Sequence, residues 1–381
     1  MIHERAYLIV ILITITLSIV IFGGYFITDK VMGDERIYAT QAHDLYAKGT
    51  FPRIYPLLSL LTATSLGLLG VTKYGYLLIP YISTSLTVFL VYFLSKYLHA
   101  DHKRALVHSL LVASNPVVIW LSSKVMTETL FMLLLTLSIY FLIRGKGAQD
   151  TFISAVFAFL AYTTRYAGIL LILSTFLYLF ISRSLRVTCV YLSIIPLLIV
   201  YWIFSNVFFG TYIPTEEYSL SVIDITKLTN LSLPLLSSIA VKVIMGVALI
   251  LGYATPVFHS TIKAFLSKKT IMPGSLSKEK KFLILFILLY IIIHLGYFAL
   301  ISISTGQAWS ADHFARYIVP ILPILILYTE IPKSKFISHL VMLGSTSLGM
   351  VLGFLLIEYS DAHALNRMEW GAFLNSIRSR S

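Results

Sequence analysis

The sequence predicts an all-α protein that crosses a membrane many times, and three observations lead there. Of 381 residues, 58% are hydrophobic and only 12% charged, with a mean hydropathy of +0.87; a soluble domain needs far more charge to cover its surface. The apolar runs last about 17–25 residues, the length of a helix crossing ~30 Å of hydrocarbon, and lack the alternation of barrel strands. Lysines and arginines sit in short loops between those runs rather than in one basic domain. The net charge of +12 therefore reports topology and not a nucleic-acid partner.

Eleven spans are expected: Tyr7–Ile27, Tyr76–Leu98, Ala105–Leu121, Met126–Ile143, Phe152–Thr163, Gly168–Ile181, Val187–Ser205, Leu235–Val257, Phe282–Ser302, Tyr317–Thr329 and Phe336–Ile357. The first exceeds the apolar core of a signal peptide, roughly 7–15 residues, and has no clear small-x-small cleavage site, so it reads as an uncleaved helix. Phe152–Thr163 and Gly168–Ile181 are short enough to be one helix broken at TTRYAG. Charge decides between these readings. With two spans and a cytoplasmic N-terminus, the inner face holds 16 of the 29 basic residues and 5 of the 17 acids, a net of +11. One merged span would put the six lysines of Lys263–Lys281 outside, against the positive-inside rule.

The chain then reads as a single transmembrane domain in the cell membrane. Its extracytoplasmic parts are a first loop over 28–75, a second over 206–234 and a short tail over 358–381; a lysine-rich loop over 260–281 is cytoplasmic. Within the first loop the apolar run YPLLSLLTATSLGLLG is too short to cross and is expected to lie as a helix on the membrane surface. The one cysteine, Cys189, excludes an intramolecular disulfide. No internal repeat, P-loop, GxGxxG or Cys/His cluster with zinc spacing is present, so nucleotide-driven readings lack support.

This topology collects the singular charges on the outer face. Asp34 and Glu35 open GDERIYATQAHDLYAKGTFP directly after the first span. Adjacent acids are usually wet loop residues, but a carboxylate desolvated near a membrane can act as a general base. Glu128 lies one turn inside an apolar helix, where an acid needs a partner or a watery cavity; stabilisation of the helix N-terminus is the bland alternative. Arg165 sits at the break between two half-length helices and offers a planar fork suited to phosphate oxygens, or to a structural salt bridge. Asp312, His313, Arg316 and Tyr317 precede a stretch that Pro320 and Pro323 would distort. Carboxylates facing isolated cations suit a displacement in which an acid deprotonates a hydroxyl while cations stabilise a departing phosphate.

Four elements in order resemble the integral-membrane C-type (GT-C) glycosyltransferases, in particular the protein O-mannosyltransferase and lipid A aminoarabinose transferase branch. The D-E-x-x-Y element is matched by Asp34, Glu35 and Tyr38, and the following Y-P-P-L-like helix by Tyr55, Pro56 and Leu57. An acid at the start of the fourth helix corresponds to Glu128, where that branch often has Asp. The T-[KR]-x-x-G element corresponds to Thr164, Arg165 and Gly168, and [RH]-Y-x-x-P-x-x-P to Arg316, Tyr317, Pro320 and Pro323. The resemblance implies a GT-C-like bundle and an inverting hexosyltransferase, with mannose as the model sugar. Its donor would be a polyprenyl- or dolichyl-phosphate-linked sugar and its acceptor a hydroxyl of a glycan, lipid or protein outside the cytoplasm. By the same carry-over Asp34 is the catalytic base with Glu35 beside it. Arg165, Arg316 and Tyr317 hold the donor phosphate, and Tyr38, Tyr55, Glu128 and His313 bind or support substrate. No metal ligand set is assigned, which leaves divalent-metal assistance open, and the short tail argues against an oligosaccharyltransferase. A lipid or lipid-linked glycan transporter, or a non-catalytic subunit of a glycan-assembly complex, is the alternative; the first expects pseudo-symmetric halves and charges near the midplane.

Overall fold

The structure is a computed structural model, described for residues 30–31, 33–52, 56–145, 147–209, 232–252, 278–305, 310–329, 344–345, 347–349, 351–352, 355 and 368–379. The expected first span, Tyr55, most of the lysine-rich loop, most of the second outer loop and most of Phe336–Ile357 lie outside the described residues.

The first loop is more ordered than its polarity suggests. Strand β1 (Lys30–Val31) leads into helix α1 (Gly33–Lys48), with Asp34 and Glu35 in the first turn and Lys48 in the last. Both ends match the helix dipole, and Gly49, at φ +67°, lets the chain turn out of the helix. Helix α2 (Pro56–Leu69) is the short apolar helix expected in this loop. It begins on proline, which costs nothing at the first helical position, and ends before Gly70, at φ +73°.

Helix α3 (Lys73–His99) starts at Thr72, whose hydroxyl accepts from the Gly75 amide at 3.1 Å, and stops at Ala100 in the left-handed region. The expected Ala105–Leu121 helix is instead two helices, α4 (His102–Ala113) and α5 (Pro116–Ser122), bent by 59°. Asn115–Pro116 causes the break. Proline donates no bond to the helix and disfavours helical backbone just before it; the Asn115 carboxamide then caps α5 by accepting from the amides of Val117 and Val118.

Helices α6 (Thr127–Arg144), α7 (Ala148–Thr164), α8 (Gly168–Ser182), α9 (Leu185–Leu192) and α10 (Ile195–Phe209) follow, then α11 (Leu233–Leu251) and α12 (Lys278–Thr305). The expected Tyr317–Thr329 span is broken as well: α13 (Ala311–Ile318), a 3-10 turn at Val319–Ile321 and α14 (Leu322–Ile326), with Pro320 and Pro323 at the joints. Among the described residues five helices are long and apolar enough to cross a membrane, six if the bent α4–α5 pair counts as one. Eleven spans are therefore not shown, and two of those expected, Tyr7–Ile27 and most of Phe336–Ile357, lie outside the described residues. Alpha-7 and α8 have 17 and 15 residues, short of a regular crossing, and α13–α14 is interrupted.

The core lies where α3, α4, α6 and α7 pack on one another, with Val88, Leu111, Phe131, Leu135 and Ala158 almost wholly buried. By contrast α10, α11 and α12 turn large apolar side chains outward, Val200, Ile244 and Ile292 each more than 60% exposed. That is the surface of a multi-pass membrane protein facing hydrocarbon. Strand β1 pairs antiparallel with β2 (Met368–Glu369), which runs into helix α15 (Trp370–Arg378). Trp370 and Phe373 pack on Tyr76, at the start of α3, and Arg378 donates to the Val71 carbonyl. The C-terminal segment and the first loop therefore occupy the same end of the bundle.

Candidate active site

Four elements deliver charged side chains to one place. Glu128 lies in the first turn of α6 and is 1% exposed. Its Oε1 accepts from Arg165 Nη1 at 2.7 Å and from Arg316 Nε in a short contact. Arg316 comes from α13, and its Nη1 donates to Asp34 Oδ2 at 2.7 Å. One buried arginine thus joins two carboxylates from sequence-distant elements. Neighbouring Thr127 accepts from Arg165 Nη1 at 3.2 Å and donates to Glu128 Oε2 at 3.3 Å.

Arg165 is held at the end of α7 in extended backbone, its amide donating to the Ala161 carbonyl and its carbonyl accepting from the Gly168 amide. Gly168 is required by space. A Cβ there would lie 2.5 Å from Tyr162 Cα and 2.8 Å from the Ala161 carbonyl carbon, neither of which can yield. The glycine lets α8 start hard against the last turn of α7, and so fixes where Arg165 projects. The guanidinium lies over the Tyr317 ring at 5.1 Å, a cation–π contact that strengthens away from water.

The adjacent acids meet different fates. Glu35 is fully buried: its Oε1 accepts from the Val125 amide at 3.0 Å and its Oε2 lies 3.8 Å from Lys124 Nζ, which is equally buried. Asp34, on the next residue, keeps 45% of its side chain exposed. One acid ties α1 to the α5–α6 connection while the other keeps its carboxylate half-exposed.

Tyr38 is buried one turn further along α1, and Tyr317 is buried with its carbonyl accepting from Tyr290 at 3.1 Å. His313 is exposed and hydrogen-bonded to Ser310 at 2.6 Å. Lys124 and Thr127 went unnoticed in sequence, although SSKVMTETL placed a lysine four residues before a singled-out acid, the signal that could have found it. His294 was missed too. It is buried, stacked on Tyr290 with ring centroids 4.0 Å apart, and 6.2 Å from the Tyr317 ring. Among the described residues no three His, Cys, Asp or Glu side chains gather as a metal site would need.

The cluster pairs Asp34, Glu35 and Glu128 with Lys124, Arg165 and Arg316, so its formal charges balance. A balanced network with one half-exposed carboxylate can exchange an internal anion for an external one without burying net charge.

The class defined by this fold is a polytopic membrane protein of GT-C architecture. It superposes on ArnT from Cupriavidus metallidurans in the apo state with a TM-score of 0.56 and 15% identity, covering 85% of this chain and 59% of that one. Against ArnT from the same organism bound to undecaprenyl phosphate the TM-score is 0.56 at 14% identity, with coverage of 84% and 59%. The chain therefore spans well under two thirds of those proteins, and the likeness at this identity is one of fold. More particularly, residues 52–207 match the family model described as dolichyl-phosphate-mannose-protein mannosyltransferase. The resemblance read from the sequence is shown over that segment, which contains Glu128 and Arg165. No curated protein sequence matches the chain significantly.

Proposed function

We propose that the protein transfers a sugar, a hexose of the mannose type, from a polyprenyl-phosphate donor to an acceptor hydroxyl on the extracytoplasmic side. The observation that carries this reading is the chain Asp34–Arg316–Glu128–Arg165, which ties the first loop to three later helix ends. Arg165 and Arg316 receive the donor phosphate, and Asp34 takes the acceptor proton. The acceptor oxygen attacks the anomeric carbon from the face opposite the phosphate, and the C–O bond to phosphate breaks with inversion. The polyprenyl phosphate leaves with the bonding pair. Positive charge fixed in advance beside the departing oxygen is the main electrostatic aid, and proton removal adds typically ~100–10,000-fold.

The resting pairs give the order of events a physical basis. Arg316 holds Asp34 at 2.7 Å, so a phosphate that claims this guanidinium also releases the base. Glu128, fully buried, keeps both arginines aimed while that exchange occurs. ArnT was captured with undecaprenyl phosphate, which supports a lipid phosphate as the leaving group here.

The test uses purified full-length protein with a polyprenyl-phosphate mannose donor and product detection by mass spectrometry. Asp34→Asn keeps shape and removes the base, and transfer should fall ~100–10,000-fold; wild-type turnover by this variant removes Asp34 from that role. Arg165→Ala should lose donor use while retaining wild-type helix content. Unchanged donor affinity and turnover would place the phosphate elsewhere.

A further inference from the structure

At the far end of α6 from Glu128 lies a second charged feature that the transfer reaction does not use. Arg144 closes α6, 16 residues beyond Glu128, which at 1.5 Å per residue is roughly 24 Å along the helix axis. There an open groove of about 470 Å³ is lined by Phe93, Lys96, Tyr97 and Ala100 from the end of α3 and by Tyr140 and Arg144 of α6. Its charged lining is wholly cationic among the described residues. The nearby acid Asp150 packs against the backbone of Gly145 and does not line it.

The groove combines two kinds of surface. Arg144 lies over the Tyr140 ring at 5.6 Å and donates to its hydroxyl at 3.0 Å, so the guanidinium is held in place by its own helix. Lys96 sits across from it, one turn before the end of α3. Phe93 and Tyr97, on the same face of α3, are 46% and 47% exposed. Cations at helix C-termini also favour the helix dipole, which accounts for their charge but not for a concave site shared by two helices and walled by open aromatic rings. A free inorganic anion would have no use for those rings. A lipid has a phosphate for the two cations and glycerol and acyl carbons for the aromatic faces.

We propose that this groove binds the phosphate headgroup of an anionic phospholipid, at the end of the bundle opposite the Asp34–Arg316–Glu128 cluster. The full-length protein, purified in detergent, is incubated with equal amounts of phosphatidylglycerol and phosphatidylcholine, and retained lipid is read by native mass spectrometry. Wild-type protein should retain phosphatidylglycerol preferentially. Lys96→Ala and Arg144→Ala should each cut that retention by roughly 5-fold, as loss of one near-surface cation implies. The charge-preserving pair Lys96→Arg with Arg144→Lys should keep most of it, which separates lost charge from misfolding. Tyr97→Ala should also lower retention of the lipid, because it removes an apolar wall of the groove and no charge. Equal retention of the two lipids by wild-type protein overturns the proposal, and so does a double alanine variant that still prefers phosphatidylglycerol. Displacement of the lipid by an equimolar amount of inorganic phosphate would make the groove a free-anion site and equally overturn it.

Discussion

The two ends of the bundle use their basic side chains in opposite ways. At the end holding α1, Arg165 and Arg316 meet carboxylates, and Glu128 serves both. At the other end Arg104 donates to the Thr329 carbonyl at 2.8 Å, His108 Nε2 lies 3.3 Å from the same oxygen, and His99 Nε2 lies 2.8 Å from the Leu327 carbonyl. Those carbonyls are left over where α14 ends, as every helix terminus leaves them. The second arrangement closes a helix and has nothing further to exchange. In the first, charges are bound to charges, and an incoming anion can replace one of them. On the proposed reading, that difference is what separates a structural cap from a site.

The largest effect should come from breaking the shared arginine. Arg316→Met leaves Glu128 with Arg165 and Thr127 and removes the guanidinium that holds Asp34. Loss of one member of a buried ion pair typically costs about 3–5 kcal/mol, and thermal unfolding of the purified protein should show it together with loss of transfer. Arg316→Met combined with Glu128→Gln should regain no stability, because the buried Arg165 guanidinium then loses its carboxylate as well, and regain no transfer. If the double variant recovers both, the cluster is structural and the contrast between the two ends collapses.

This cluster was partly legible in the sequence. Asp34, Glu128, Arg165 and Arg316 each stood out because an ionisable group at an apolar helix end needs an explanation, and the structure brings those four together. Lys124 did not stand out, since a lysine near a helix end ordinarily snorkels to water; only the fold reveals that Glu35 meets it in the interior. Helix α1 was hidden by its polarity, read as loop although its acids and its closing lysine sit where a helix dipole wants them. Hydropathy gave most helix positions to within a few residues. It could not see the break at Asn115–Pro116, because window averages are blind to a single missing amide donor, whereas Pro320 and Pro323 did mark the distortion of their stretch. Nor could spacing pair β1 with β2, which depends on two residues more than three hundred positions apart.

A smaller effect separates the two adjacent acids. Lys124→Met keeps the stem of the lysine and removes its charge, leaving Glu35 its bond from the Val125 amide. Destabilisation of about 3 kcal/mol is expected, the low end for a buried charge that loses its ion-pair partner, because Glu35 keeps the Val125 amide. Transfer should drop through misplacement of α1, seen as a lower turnover with donor affinity retained. Glu35→Gln with Lys124→Met should restore the turnover in part, since a neutral carboxamide still accepts from Val125. An unchanged turnover in Lys124→Met would mean that α1 is positioned without this clamp.

The smallest effect belongs to the capped end, and it decides whether the contrast is one of chemistry or only of location. Arg104→Ala takes one donor from the Thr329 carbonyl, but His108 still faces that oxygen. The loss should be near 1 kcal/mol, the net contribution of an ordinary hydrogen bond. His108→Ala alone should also leave the carbonyl served by Arg104, although it adds a small cavity between α4 and Ser95, to which the ring is bonded at 2.8 Å. Removing both donors strands a buried carbonyl, so the double variant should exceed the sum of the single losses by at least about 0.5 kcal/mol, as coupled partners do. Transfer per folded molecule should stay at the wild-type rate throughout, because this cap takes no part in the proposed transfer. A fall in transfer that tracks Arg104→Ala, measured at equal folded concentration, would show the two ends to be coupled.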